Sequence, residues 1–106
     1  ADWVVEKIKN KVLQFENNNG KIPTITCMGL AFKPDIDDLR ESPALYIAEK
    51  LDSFFKISAV EPNIDNHSKI HLVDYKDGLK ADICIYLVKH RQFNDCVLKE
   101  LDLVFY

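Results

Sequence analysis

One run of the sequence, "ICIYLV" at 83–88, constrains the fold more than any other because it is apolar at every position. A strand with one solvated face alternates apolar and polar residues, whereas a strand covered on both faces does not alternate. Strands of the second kind are typical of parallel sheets whose two faces are covered by helices. The run therefore predicts an inner strand of a parallel sheet in an α/β domain.

The rest of the chain alternates between helix and strand patterns. Apolar residues recur at helical spacing from Asp2 to Asn17, and Gly20 is suited to end that helix in a left-handed conformation. Ser42 and Pro43 supply the N-cap and the first residue of a second helix. Further strands are predicted at about 22–30, 57–62 and 101–106. The segment 63–79 is predicted to hold a short helix, a stub of strand and a turn at Asp77-Gly78, and another short helix is predicted at 93–101. This alternation predicts a Rossmann-like, doubly wound parallel sheet with three αβα layers, preceded by part of a connecting helix.

The composition narrows the class of protein. The chain has 106 residues, which fits one domain, and its net charge of −3 disfavours a nucleic-acid partner, which usually faces a basic surface. No apolar run approaches the roughly 20 residues of a membrane span, and the N-terminus lacks the pattern of a secretory signal. The cysteines are widely spaced, form no CxxC pair and are typical of a reducing compartment: Cys27, Cys84 and Cys96. These features predict a cytoplasmic domain with no membrane or nucleic-acid partner.

Polar residues follow three of the predicted strands. The charged segment from Lys33 to Arg40 follows the first strand, Glu61 follows the second, and "KHRQF" (89–93) follows the third. Ligands of open α/β sheets bind outside the carboxyl ends of the strands. We therefore expect one rim of the sheet to gather the following side chains: Lys33, Glu61, Lys89, His90 and Arg91.

The sequence contains no glycine-rich phosphate loop, since neither GxGxxG nor GxxxxGK[ST] occurs. A phosphate can still be held by backbone N–H groups near the first strand's end or the Ser42 helix start, with Lys33 as the point charge. Other readings stay open, because Lys33 can pair with Asp35 or Asp37 and Arg40 with the carboxylates beside it. Phe32 is more often a core residue than a ligand platform, and Asp37-Asp38 is a weak candidate for Mg²⁺. The histidines lack the spacing of a metal site, which favours solvated or structural roles: His67, His71 and His90.

The segment "GLAFKPDIDDLRESPAL" (29–45) resembles the signature that opens the C-terminal, UDP-binding domain of the UDP-glucose/GDP-mannose dehydrogenase family. "VEPNI" (60–64) and "KHRQF" support the resemblance in the right order, and it extends over nearly the whole chain. Within the family, these segments are most similar to the members that act on UDP-N-acetylmannosamine, with those that act on UDP-glucose as the near alternative.

The resemblance implies part of an enzyme that oxidises the C6 alcohol of a UDP-sugar to a carboxylate in two steps, with two NAD⁺. It implies an N-terminal domain that binds most of the NAD, a central helix at a homodimer interface, and catalytic residues upstream of this sequence. Residues 1–20 would be the end of the linking helix, and 21–106 the UDP-sugar-binding domain. That domain would be truncated before a further substrate-binding arginine, so the chain alone is expected to be inactive and at best a weak UDP binder.

The resemblance also assigns residues to ligands. Phe32 and Lys33 match UDP-sugar contacts, with Lys33 near the diphosphate, and Arg40 matches a residue that reaches NAD across the domain interface. The expected site therefore has no catalytic residue and no metal. Two other classes stay open, a receiver-like signalling domain and an assembly module that binds no nucleotide.

Overall fold

The computed structural model describes residues 2–31, 33–35 and 38–106. Within these residues the helices and strands follow in the order α1 (Asp2–Asn19), β1 (Ile25–Met28), α2 (Pro43–Phe54), β2 (Ile57–Val60), α3 (Tyr75–Gly78), β3 (Ile83–Tyr86), a 3-10 turn (Arg91–Phe93) and β4 (Leu103–Val104). The strands form one sheet in the order β2-β1-β3-β4, and every neighbouring pair is parallel. The predicted doubly wound parallel sheet is confirmed.

Helical segments cover both faces of the sheet. One face packs against α1 and α2 through a cluster in which Ile8, Leu51 and Ile85 are fully buried. The other face carries Met28 and Tyr86, which pack with Phe93 of the 3-10 turn and, at the edge of the cluster, with Tyr75 of α3. The inner strand β3 is buried at all four positions, as its apolar run predicts. The second covering layer is thin, because α3 has only four residues.

The predicted ends of the two long helices are also confirmed. Gly20 has a φ of 70°, the left-handed conformation that ends a helix most easily at glycine. Ser42 has an extended backbone, and its hydroxyl accepts the N–H of Leu45 at 3.2 Å, with Pro43 in the first turn.

Three predictions of local structure are wrong. The first strand starts at Ile25 instead of Ile22, because the backbone N–H and hydroxyl of Thr24 bond to the Asp82 carboxylate before the ladder begins. The turn expected at Asp77-Gly78 is the end of α3, which Asp74 caps through the N–H of Asp77.

The third error is the helix expected at 93–101, which is irregular after the 3-10 turn. A helix there would have no apolar face to bury, since Val97 is 86% exposed and Leu98 is 53% exposed. The carboxylate of Asp102 instead binds the N–H groups of Lys99 and Cys84, which ties this segment to the edge of β3. In the part of the chain that the structure describes, no helix is long and apolar enough to cross a membrane.

Candidate functional site

The candidate site lies at the carboxyl edge of the sheet, where β1, β2 and β3 end side by side. The strand order reverses direction after β2, so β1 and β3 are neighbours although they are far apart in sequence. In open α/β sheets the crevice at such a reversal is the usual place for a ligand. Glu61 follows β2 directly, and His90 follows β3 by four residues. Both side chains are buried at this edge.

Glu61 is the centre of a hydrogen-bond network at this edge. Its Oε1 accepts the backbone N–H groups of Leu30 and Ala31 at 2.9 and 3.0 Å, and lies 2.8 Å from Nε2 of His90. Its Oε2 accepts the backbone and side-chain N–H groups of Asn63 at 3.0 and 3.1 Å. Burial alone would raise the pKa of Glu61, but these hydrogen bonds outweigh it and lower the pKa below the ordinary value. Glu61 is therefore ionised, and N–H donors of the fold itself stabilise its negative charge.

His90 connects this network to the loop that follows β1. Its Nδ1 accepts the backbone N–H of Asp35 at 2.8 Å, and the carboxylate of Asp35 accepts the backbone N–H of Arg91 at 2.9 Å. His90 has no exposed surface, and its ring meets that of Phe93 edge-on at 5.6 Å. The structural role expected of this histidine is what the structure shows.

The residues assigned by resemblance lie on the same loop, as far as the structure describes it. Lys33 is exposed, two residues from the Asp35 attachment. Arg40 is exposed and forms a two-pronged ion pair with Asp38, Nε to Oδ1 at 3.1 Å and a terminal nitrogen to Oδ2 at 3.0 Å. The hydrogen bonds of this pair lower the pKa of Asp38 and raise the pKa of Arg40. Phe32 and Asp37 lie outside the described residues.

The expected gathering of polar residues at one rim holds for part of the set. Glu61 and His90 touch, and the backbone N–H of Arg91 donates to Asp35, whose own N–H bonds to His90. Lys89 instead lies over the ring of Tyr106, with Nζ 5.9 Å from the ring centre. Lys33 belongs to the loop that His90 holds by way of Asp35.

Some of the backbone donors expected to hold a phosphate are already occupied. The N–H groups of Leu30 and Ala31 already donate to Glu61, and the Ser42 hydroxyl takes an N–H of the helix start. A phosphate at this edge would have to compete with a buried carboxylate for the N–H groups of Leu30 and Ala31. The sequence argument missed this use of Glu61, although its place one residue after an apolar strand was the signal that could have found it.

Among the residues that the structure describes, the cysteines and the possible metal ligands give no sign of a reactive centre. No group of three or more His, Cys, Asp or Glu side chains among the described residues could hold a metal ion. All three cysteines are free, and burial raises the pKa of Cys27 to about 12, so it stays a thiol near neutral pH. Burial also raises the pKa of Cys84, although a hydrogen bond from Lys99 opposes the shift. Neither of these two buried thiols is therefore an activated nucleophile.

Fold and site together define an open parallel α/β domain with a cation-bearing loop at the carboxyl edge of its sheet. Residues 26–104 match the UDP-glucose/GDP-mannose dehydrogenase family, UDP binding domain. The chain belongs to this family, and the resemblance drawn from the sequence is confirmed.

Known members of the family are similar to this chain in both sequence and structure. The chain is 45% identical over 102 residues to the UDP-N-acetyl-D-mannosamine dehydrogenase of Campylobacter jejuni, and 40% identical over 102 residues to that of Yersinia pestis. The matches cover 87% and 86% of this chain but only 24% of each relative, so the chain spans about a quarter of their length. The native structure of the UDP-N-acetyl-mannosamine dehydrogenase from Staphylococcus aureus superimposes with a TM-score of 0.74 at 28% identity, over 90% of this chain and 22% of that one.

Proposed function

We propose that this chain is the UDP-sugar-binding domain of an NAD-dependent UDP-sugar 6-dehydrogenase in the cytoplasm. Residues 1–20 would then be the end of a linking helix and 21–106 the binding domain. The complete enzyme would add an NAD-binding domain and a central domain, form a homodimer, and carry the catalytic residues outside this chain. NAD⁺, when bound, supplies the hydride acceptor for the alcohol oxidation. One observation carries the proposal, the family match over 26–104, which includes the whole loop that bears Lys33 and Arg40.

The loop is suited to two phosphate-bearing ligands. Lys33 is an exposed cation beyond the end of β1, at the edge where open α/β sheets usually bind ligands, and we assign it with Phe32 to the UDP moiety. Arg40 has a planar, two-pronged guanidinium, which matches phosphate geometry, and it remains exposed while it is paired with Asp38. Because an exposed ion pair is weak, Arg40 can exchange Asp38 for the diphosphate of a cofactor held by another domain.

The proposal predicts that Lys33→Glu weakens the binding of UDP to this chain. UDP titrated into the ¹⁵N-labelled chain should shift the amide signals of the loop with a dissociation constant on the order of 1 mM, a free energy of about −4 kcal/mol. Losing one charge-assisted contact should raise that constant about tenfold or more.

Lys56→Glu is the matched control, since it makes the same charge change at an exposed residue immediately before β2, on the opposite edge of the sheet. This control variant should bind UDP as the wild type does. Spectra of the wild type that do not change at millimolar UDP would overturn the proposal. Equal weakening by both charge reversals would favour a domain with no nucleotide site at the loop.

The substrate of the complete enzyme is, in this proposal, UDP-N-acetylmannosamine, which is oxidised to the uronate in two steps. The supporting observation is the 45% identity to a relative of that name. With NAD⁺ and a panel of UDP-sugars, the complete enzyme should turn over UDP-N-acetylmannosamine at least about tenfold faster than UDP-glucose, because a site that bonds the acetamido group loses those bonds with glucose. The reverse preference would assign the chain to a UDP-glucose 6-dehydrogenase.

A further inference from the structure

The loop between β1 and α2 is attached to the rest of the fold at its base and near its middle. At the base, the Ser42 hydroxyl donates to the carbonyl oxygen of Leu30 at 2.6 Å. Near the middle, Asp35 donates its N–H to His90 and accepts the N–H of Arg91. Lys33 lies between these two attachments. Its place relative to the sheet edge therefore depends on both.

The attachment at Asp35 coincides with an uncommon backbone conformation. Asp35 has a φ of 62°, in the left-handed region that residues with a Cβ seldom adopt. Such conformations persist where the surroundings over-determine them, and they cluster at ligand sites. Here the conformation is held by the two hydrogen bonds of Asp35, one to His90 and one from Arg91, which both follow β3 in the chain. Tertiary contacts therefore fix the backbone at Asp35.

The ring of His90 can hold Asp35 in only one protonation state. A backbone N–H is always a donor, so Nδ1 of His90 must be unprotonated to accept it. The side-chain nitrogen of Asn63 lies 3.5 Å from the same Nδ1, which places a second donor there. The ring proton is then on Nε2, where the Glu61 carboxylate accepts it at 2.8 Å. Glu61 thus selects the tautomer that keeps the loop attached.

We propose that His90 is a positioning residue for nucleotide binding, which holds the Lys33 loop in its binding shape by accepting the Asp35 N–H while Glu61 fixes its tautomer. This inference rests on the proposed function, since it assigns His90 to the same UDP site. In this proposal His90 does not contact the nucleotide itself. It acts through Asp35, two residues from Lys33.

Two substitutions of His90 separate its two hydrogen bonds. In His90→Asn, the side-chain oxygen stands near the position of Nδ1 and can accept the Asp35 N–H. In His90→Gln, the side-chain nitrogen reaches the position of Nε2 and can donate to Glu61, but nothing accepts the Asp35 N–H. Each variant loses one buried hydrogen bond, so the two should be destabilised to a similar degree.

The proposal predicts that UDP affinity follows the bond to Asp35. In the NMR titration, His90→Gln should raise the dissociation constant for UDP about tenfold, and His90→Asn by about twofold or less. In the free wild-type chain, the ring nitrogens should report the Nε2–H tautomer, with a scalar coupling from Nδ1 to the Asp35 amide nitrogen across the hydrogen bond. A protonated Nδ1, or equal UDP affinities of the two variants, would overturn the inference.

A surface variant covers the case in which both His90 variants fail to fold. Asp35→Gly keeps the left-handed backbone and the N–H but removes the carboxylate that binds Arg91. Since the bond from the residue-35 N–H to His90 remains in this variant, its UDP dissociation constant should rise by about threefold or less, with a thermal midpoint close to that of the wild type. A tenfold rise would mean that the Arg91 contact and not His90 positions the loop, and it would overturn this inference alone, whereas a wild-type chain that ignores UDP overturns the proposed function and this inference with it.

Discussion

Replacing Gly29 by alanine is expected to destabilise the domain by about 2–5 kcal/mol, the sum of a strained backbone and an overpacked contact. Gly29 has a φ of 98°, and a Cβ added to it would stand 2.7 Å from Cβ of Val88. The neighbour cannot withdraw, because the backbone N–H groups of Leu87 and Val88 bond to the carbonyl oxygen of Met28. Since small domains are stable by only about 5–15 kcal/mol, urea unfolding followed by circular dichroism should show a large fall in the midpoint.

Gly20→Ala is the matched control for Gly29→Ala. Gly20 also has a positive φ, of 70°, but a Cβ there would meet nothing within 4 Å. Gly20→Ala should therefore lower the free energy of unfolding only through backbone strain, by about 1 kcal/mol. Equal losses in the two variants would mean that β1 and β3 do not leave the sheet as closely as the structure shows. The close approach of Gly29 to Val88 also fixes the backbone position from which the loop bearing Lys33 starts.

The second large effect is expected at Ile8, which we predict to cost about 2–5 kcal/mol of unfolding free energy when replaced by alanine. Ile8 has no exposed surface and belongs to the main core cluster with Leu51 and Ile85. The substitution deletes buried methyl groups and leaves a cavity, while alanine favours the helix itself. Urea unfolding of the 106-residue chain measures the loss.

Leu13→Ala provides the comparison on the same helix, since Leu13 is 56% exposed. Its effect should stay within about 0.5 kcal/mol, as for most surface substitutions. If Ile8→Ala were as mild as Leu13→Ala, α1 would be an appendage that merely leads into the sheet. The expected result makes α1 a layer of the core, in agreement with its buried residues Val5, Val12 and Phe15.

Much of the fold could be predicted because its signals are local. The unbroken apolar run at 83–88 predicted an inner strand, and β3 is buried at every position and flanked on both sides. Ser42, Pro43 and Gly20 predicted helix ends through their own side-chain and backbone chemistry. The prediction of a short helix failed at 93–101, where the fold offers Val97 and Leu98 nothing to pack against.

The candidate site, too, could be predicted only where its signal lies in neighbouring residues. The motif at 29–45 drew attention to Lys33 and Arg40 by its resemblance to a family signature, and no tertiary information was needed. The use of Glu61 escaped the sequence argument, because its partners Leu30 and His90 lie 31 and 29 residues away in the chain. Asp35 and His90 are 55 residues apart, and no periodicity or spacing reports a bond of that kind.

The amino-acid sequence by itself determined the two long helices, the four strands in their order along the chain, the parallel class of the sheet and the family, since each of these depends on residues that are close together in the sequence. Only the tertiary structure decided that Glu61 takes the backbone donors at the end of β1, and that His90 holds the loop of Lys33 through Asp35. The physical reason is that these bonds join the ends of strands that are adjacent in the sheet and distant in the chain, so they exist only once the strands have paired in their final order.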